Sequence, residues 1–248
     1  FDIFSVGDTV SAKDGGNFAG NVAMAGTLGV TGNVGVGVTP STLLHIKGAN
    51  PVYRIEDNNE TGSGNIVFRD SARETAKISV ASGASASMQF QTLGTEAMRI
   101  DATGAVTMPL QPAFLAHPSS TQSNIAVGSD ITVLFATEIF DQNADFNTAN
   151  YTFTAPVTGR YQFNIVYYLE NIDTATGYYY IFFDTSNRNY FNIISPAFTA
   201  DTSYLSLTLS MLVDMDASDT ALCKIRQSHG TSQTDISGNS FFSGYLVA

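Results

Sequence analysis

Carboxylates are the most plentiful reactive groups in this 248-residue chain, with 22 Asp and Glu against 11 Lys and Arg, three His and one Cys. Two acidic runs place side-chain oxygens at the short spacing that calcium loops use. In Asp214-Met215-Asp216-Ala217-Ser218-Asp219 the sixth position should be Gly and the twelfth a bidentate Glu, but Asp219 and Ile225 stand there. In Asp57-Asn58-Asn59-Glu60-Thr61-Gly62 the glycine is present, but Phe68 occupies the twelfth position. Both runs read as turns. His45, His117 and His229 are far apart and show no zinc spacing. Nucleophile elbow, P-loop and dinucleotide fingerprint are all missing, and no Asp/Glu pair stands out as a glycosidase pair. The sequence therefore predicts binding and assembly chemistry: no enzyme, no catalytic residue, no metal ligand set and no cofactor.

The elements that would position such groups differ between the two halves. Residues 1–108 hold 15 of the 21 glycines, whereas 22 of the 28 Phe and Tyr follow them. Ordering so much glycine is entropically costly, and a stretch this poor in large apolar residues is not expected to close a core as a monomer. Glycine breaks up Gly26–Val38 too often for a helix or an ordinary sheet, and without a collagen period. Short strands with open edges could be satisfied by several chains winding together. Alternation marks further strands at Val52–Glu56, Asn65–Arg69, Ala76–Val80, Ser87–Gln91 and Ala97–Asp101, after a β start near Leu43–Gly48. Asn58–Gly64 reads as a loop and Ser71–Lys77 as at most one helical turn. Pro109, Pro112 and Pro118 mark the join, so Met108–Ala113 reads as a stiff connector.

Charge narrows the partners. Residues 1–108 carry 7 basic and 10 acidic groups, and residues 109–248 carry 4 and 12, net −3 and −8. An acidic surface repels polyphosphate, so nucleic acid is excluded as a partner. A cation or a basic receptor patch would be attracted instead. No stretch approaches a membrane span, and no secretory leader stands at the start. Beginning at Phe1, the chain reads as a fragment or processed product. Cys223 is alone and flanked by Ala221, Leu222 and Ile225, so it reads as an inert strand thiol in or near the core.

The aromatic half carries a spaced set: Phe135, Asp141, Phe146, Phe153, Gly159, Tyr161 and Phe163. It ends on Phe242-Ser243-Gly244-Tyr245-Leu246-Val247. From about Phe114 to Ala248 this pattern resembles the globular head of complement's first recognition component, a jelly roll of the tumour-necrosis-factor-like superfamily. The resemblance implies a ten-stranded-type β-sandwich head that assembles as a homotrimer. Read on their own, the signature residues are core and turn positions. Gly159 is expected to turn the chain with positive φ, and Tyr161 and Phe163 to share one face of the next strand. Phe242 and Gly244 belong to the final strand.

The first half resembles phage tail-fibre and adhesin shafts, on the phrases Gly32–Pro40, Leu43–Gly48 and Met98–Pro109. Together the readings give an all-β chain: an intertwined trimeric β shaft over 1–108, a linker at 109–113 and a jelly-roll head over 114–248. The expected function is attachment. The chain would be the distal segment of a phage tail fibre in the virion, bound to other tail proteins and to a host-surface glycan or protein. A bacterial surface adhesive filament and a purely structural trimerisation cap are the rivals; a secreted signalling ligand is a more distant one.

Placing both chain ends of the head at the shaft side, as the family does, puts loops 170–176, 195–203 and 228–240 at the free tip. Asn171, Asp173, Thr174, Thr199, Asp201, His229, Ser232, Gln233 and Asp235 become the receptor-binding candidates there. Some heads of this family hold calcium at the tip, where Asp173, Asp201 or Asp235 could supply oxygens. Tyr178-Tyr179-Tyr180-Ile181-Phe182-Phe183 is apolar on both alternations, which suggests burial on both faces. Tyr178, Tyr180 and Phe182 are therefore the expected trimer contacts.

Overall fold

The computed structural model describes residues 32–36, 38–39, 41–55, 62–83 and 86–248. The chain divides into two units, residues 1–55 and 56–248. Among the described residues there is no α-helix, and no helix long and apolar enough to cross a membrane.

In the first unit, β1 (Val34–Val36) and β2 (Leu44–Ile46) pair in parallel, Val34 opposite Leu44. The Gly26–Thr31 part of the glycine-rich run and the Asp57–Thr61 part of the second acidic run lie outside the described residues. Residues 51–55 are irregular, where a strand is expected from Val52.

The second unit opens with an antiparallel meander: β3 (Ser63–Arg69), β4 (Glu74–Ala81), β5 (Ser87–Thr92), β6 (Thr95–Asp101) and β7 (Val106–Thr107), in that order across the sheet. These strands pair with one another within the chain, with β3 and β7 at the two edges of the sheet. No helical turn forms at 71–77. Asp70 accepts the N–H groups of Ala72 and Arg73 at 2.8 and 2.9 Å, which closes a tight turn and delivers the chain straight into β4.

Two sheets make up the remainder. The first runs β10 (Thr137–Asp141), β8 (Ala113–His117), β19 (Phe241–Leu246), β13 (Gly159–Ile172), β16 (Thr202–Met215), with β18 (Asp235–Ile236) also on β13. The second runs β11 (Phe146–Asn147), β12 (Thr152–Thr154), β17 (Thr220–Ser228), β14 (Tyr178–Thr185), β15 (Asn189–Ile194), with β9 (Ile131–Thr132) also on β17. Each carries five strands along its main path, all antiparallel, and apart from the hairpins β11–β12 and β14–β15 the neighbours in space are distant in sequence, as a jelly roll requires.

Between the sheets lies an aromatic core that explains the spaced set. Phe135, Phe146, Phe153, Tyr161, Phe163 and Phe242 are all buried. Phe114 stacks on Phe146 and Phe153 and meets Phe242 edge-on, at centroid distances of 4.8, 5.1 and 4.8 Å. Tyr161 sends its hydroxyl to the Val157 carbonyl at 2.7 Å, satisfying the one polar atom it brings inside. Asp141 accepts the N–H of Phe146 at 2.8 Å and pins the β10–β11 turn.

Both signature glycines are needed for space. Gly159 does not have positive φ, contrary to the expectation; a Cβ there would lie 2.7 Å from the Ala248 carbonyl oxygen. At Gly244 a Cβ would fall 2.4 Å from the Phe163 ring. Residues 108–112 are held against the head rather than swinging free of it. Gln142 Nε2 donates to the carbonyls of Met108 and Gln111 at 2.8 and 2.6 Å, and Leu246 N–H donates to Pro112 at 3.1 Å.

Candidate recognition surface

Antiparallel connection sorts the head's loops to two ends. At one end the chain termini of the head meet, Leu246 N–H donating to Pro112 at 3.1 Å, and the start of β13 joins them, Arg160 N–H donating to Ala248 and Val247 N–H returning to Arg160, both at 2.8 Å. The turn after β16 sits here. Asp219 accepts from Ser186, Asn187 and the Asp216 N–H, with Ser186 the leading cause of a carboxyl pKa below the ordinary value. The carboxylate that resembles part of a calcium loop is thus a turn cap. A polar pocket of about 200 Å³ lies beside it, lined by Thr158, Arg160, Asn187, Asp214 and Asp216 among others.

At the other end, three loops are stitched together: 173–177 after β13, 195–201 after β15 and 229–234 after β17. Asp173 is the knot. It is 6% exposed, and its carboxylate accepts from the Ala175 N–H at 2.7 Å and from the Thr231 N–H and hydroxyl. The Ala175 N–H first, and then Thr231, hold its carboxyl below the usual aspartate pKa. Gly230 stands at φ +81 against this carboxylate, with no room for a Cβ, which would lie 2.7 Å from Oδ2.

The other acidic candidates are also engaged. Asp201 accepts from the Thr174 N–H at 2.9 Å and from Gln233 at 3.2 Å. Asp235 accepts from the Asn124 N–H and Asn171 Nδ2 at 2.7 and 2.9 Å. Ser232 donates to the carbonyls of Asn124 and Ile125, both at 2.8 Å. Calcium needs several convergent, unoccupied oxygens. Here the three carboxylates face N–H donors in separate contacts, and no group of three or more His, Cys, Asp or Glu converges among the described residues. Within one chain this donor set does not fit the ion.

The loops therefore present a surface built mainly from small polar groups. Asn171, Thr174, Thr199, Asp201, His229 and Ser232 are exposed, Gln233 and Asp235 half-buried, and Asp173 buried beneath them. Asn171, near the end of β13, and His229, just after β17, hold positive φ, at 56° and 63°. Sequence reasoning found these loops from strand counting, but it could not distinguish the saturated Asp173 from its exposed neighbours. Asn124 escaped notice altogether; it joins the cluster from the crossing that follows β8, and nothing in its local sequence marks it.

The aromatic strand β14 is largely buried on both faces within the single chain. Tyr179, Ile181 and Phe183 enter the core, and Tyr180 and Phe182 face outward with Phe191 of β15 in ring contact with Tyr180 at 5.0 Å. Phe182 is only 1% exposed in the single chain, so its burial needs no neighbour, and Tyr178 and Tyr180 are half-buried. This outward face also carries charge, with Lys224 paired to Asp184 and Arg226 to Asp130. On the outward face of the other sheet, β13 and β16 carry no Asp, Glu, Lys or Arg between their ends. Along β13, Gln162, Asn164, Val166 and Tyr168 stand there, opposite Leu212, Ser210, Thr208 and Ser206 of β16. Ser210 donates to Asn164 at 2.8 Å and receives from Gln162 at 2.9 Å.

This ten-strand sandwich with its aromatic core and glycine-tight final strand defines the class: residues 113–247 match the C1q domain, and the chain belongs to that family. Domains of this family form homotrimers and are typically binding or structural modules rather than enzymes. Among solved structures, the globular domain of zebrafish complement 1qA is similar at 15% identity and a TM-score of 0.42, over 56% of this chain and 98% of that one. Murine APRIL is similar at 15% identity and a TM-score of 0.41, over 55% and 99%. The PRD1 vertex protein P5 is similar at 10% identity and a TM-score of 0.40, over 56% and 96%. No curated protein matches the chain.

Proposed function

We propose that this chain is the distal, homotrimeric part of an extracellular attachment fibre, a phage tail fibre, whose head binds a host-surface glycan or protein through the loops opposite its chain ends. The observation that carries the reading is the stitched tip. Loops from both sheets are fixed by Asp173, Asp201 and Asp235, while Asn171, Thr199 and His229 remain exposed on top. Rigid placement of small polar groups suits hydrogen bonding to hydroxyl-rich or peptide ligands without a large ordering cost. Three such sites per head, repeated over several fibres, raise avidity although each contact is weak.

A second reading has one observation in its favour. The carboxylates of the tip are saturated internally, as a cap that binds nothing would also have them. Binding of the labelled protein to a glycan array and a panel of bacterial cells, for the wild type and for Thr199→Arg with His229→Ala, separates the two. The attachment reading expects binding that the double variant loses while its trimer mass stays unchanged. Binding that survives the double variant rules out the tip as the site. No binding to any surface by an intact trimer leaves the cap.

A further inference from the structure

The meander β3–β7 is two-sided in composition. Directly paired residues of antiparallel strands project from the same face. The rows Ile66–Ile78–Phe90–Met98 and Val80–Met88–Ile100–Val106 therefore share one face, joined by Phe68. The opposite face holds Asn65, Ser79, Gln89 and Arg99 in one row and Lys77, Gln91 and Glu96 in another. There Arg99 pairs with Glu96 at 2.6 Å and Gln91 donates to Gln89 at 3.0 Å.

Much of the apolar face is exposed in the single chain: Ile66, Phe68, Val80, Met88 and Val106 lie open, and Ile78, Phe90, Met98 and Ile100 are half-buried. No side chain from these strands belongs to the chain's buried apolar core, and Phe68 and Val106 are each 53% exposed. A one-sided sheet in this condition requires a second layer.

A second and third copy of this chain are the occupants that the connectivity supplies. β7 ends at Thr107 and β8 begins at Ala113, so only residues 108–112 separate the sheet from a head of a homotrimeric family. Gln142 fixes that connector to the head. Assembly of three heads therefore brings three copies of the sheet together at high local concentration. A face with no charged group on it meets its symmetry mates without like-charge repulsion, as closure around a threefold axis demands.

We propose that three β3–β7 sheets stand with their apolar faces inward around the axis of the head, closing a three-sided prism with Lys77, Gln89 and Arg99 outside. The strands stay paired within each chain, and the contacts between chains are side-chain packing. The proposal rests on the homotrimeric reading of the head.

Thiol placement in the full chain tests it. Val80→Cys puts a thiol on the inward face, and Val67→Cys puts one on the polar face; the native Cys223 is buried and serves as a silent background. Light scattering on the same samples gives the mass. The prism expects a trimer in which Val80→Cys resists maleimide and forms interchain disulfides under mild oxidation, while Val67→Cys labels fully and does not cross-link. A trimer in which Val80→Cys labels as fast as Val67→Cys overturns the prism and leaves the head's trimer standing. A protected Val80→Cys that never cross-links overturns it too, because the chain's own residues then cover the face. A monomer overturns the prism and the homotrimeric reading together.

Discussion

At the scale of single residues, the head depends on space as much as on contact. Gly244 lies against the Phe163 and Phe114 rings, so any Cβ displaces aromatic side chains that have nowhere to go. Gly244→Ala is expected to cost about 1–3 kcal/mol by overpacking. Gly238→Ala, whose nearest atom to a new Cβ is 3.7 Å away, is expected to be close to neutral. Denaturant unfolding of the two variants checks the contrast. Tyr161→Phe keeps the ring and removes the donor to Val157, so a loss of about 1 kcal/mol is expected in the same assay.

Asp173 gives a pH dependence with a definite sign. Its carboxyl pKa is depressed by hydrogen bonds to the charged form, so its contribution is fully present above the unfolded aspartate value. That contribution is lost as pH falls through the lower folded value. Amide exchange at Ala175 and Thr231 is expected to accelerate in that acid window, before the head unfolds, and Asp173→Asn is expected to abolish the step. Unchanged exchange at those amides down to the head's own unfolding would refute the knot.

At the scale of elements, the question is which sheet meets a neighbouring chain. Tyr178, Tyr180 and Phe182 drew attention because both alternations of their strand are apolar, yet the outward alternation is closed within the chain at Phe182 and bordered by two ion pairs. The outward face of β13 and β16, with its charged residues Arg160, Asp214 and Glu170 only at the ends, suits a symmetric protein contact better, since charged groups are depleted at interface centres. Val166, 39% exposed in the middle of that face, is the sensitive position. Val166→Lys is expected to dissociate the trimer in sedimentation experiments, and Phe191→Lys on the other sheet is expected to leave it assembled. The reverse result would return the interface to the β14 side.

At the scale of the whole molecule, alternating side-chain chemistry was enough to read an all-β chain, whereas the jelly roll followed from the resemblance of the spaced aromatic set to a known family. The strand that carries Tyr161 and Phe163 forms as alternation predicts, and the buried set Phe135, Phe146, Phe153, Tyr161 and Phe163 could be read as core because large aromatics at fixed spacing rarely have another use. The meander was legible as separate strands for the same reason. Sequence did not reveal that its strands pair with one another, because pairing partners are chosen by register and turn geometry across the chain. Ser71–Lys77 allowed at most one helical turn by sequence, because a short polar segment before an apolar run fits either pattern until the hydrogen bonds that Asp70 accepts are known.

What the sequence determined by itself is what nearest neighbours control: an all-β chain, an acidic surface, aromatic core positions and loops of small polar residues. Tertiary structure decided everything that depends on distant segments meeting. It put Asp173 beneath Thr231, 58 residues away in the chain, so that one acidic candidate became an internal clasp while its neighbours stayed on the surface. It set Gly159 against Ala248 and Gly244 against Phe163, replacing a conformational reason for glycine with a steric one. It also left much of one face of the β3–β7 sheet exposed. The physical reason is the same throughout: alternation along a strand fixes which side chains share a face, but only the arrangement of sheets in space fixes what that face meets.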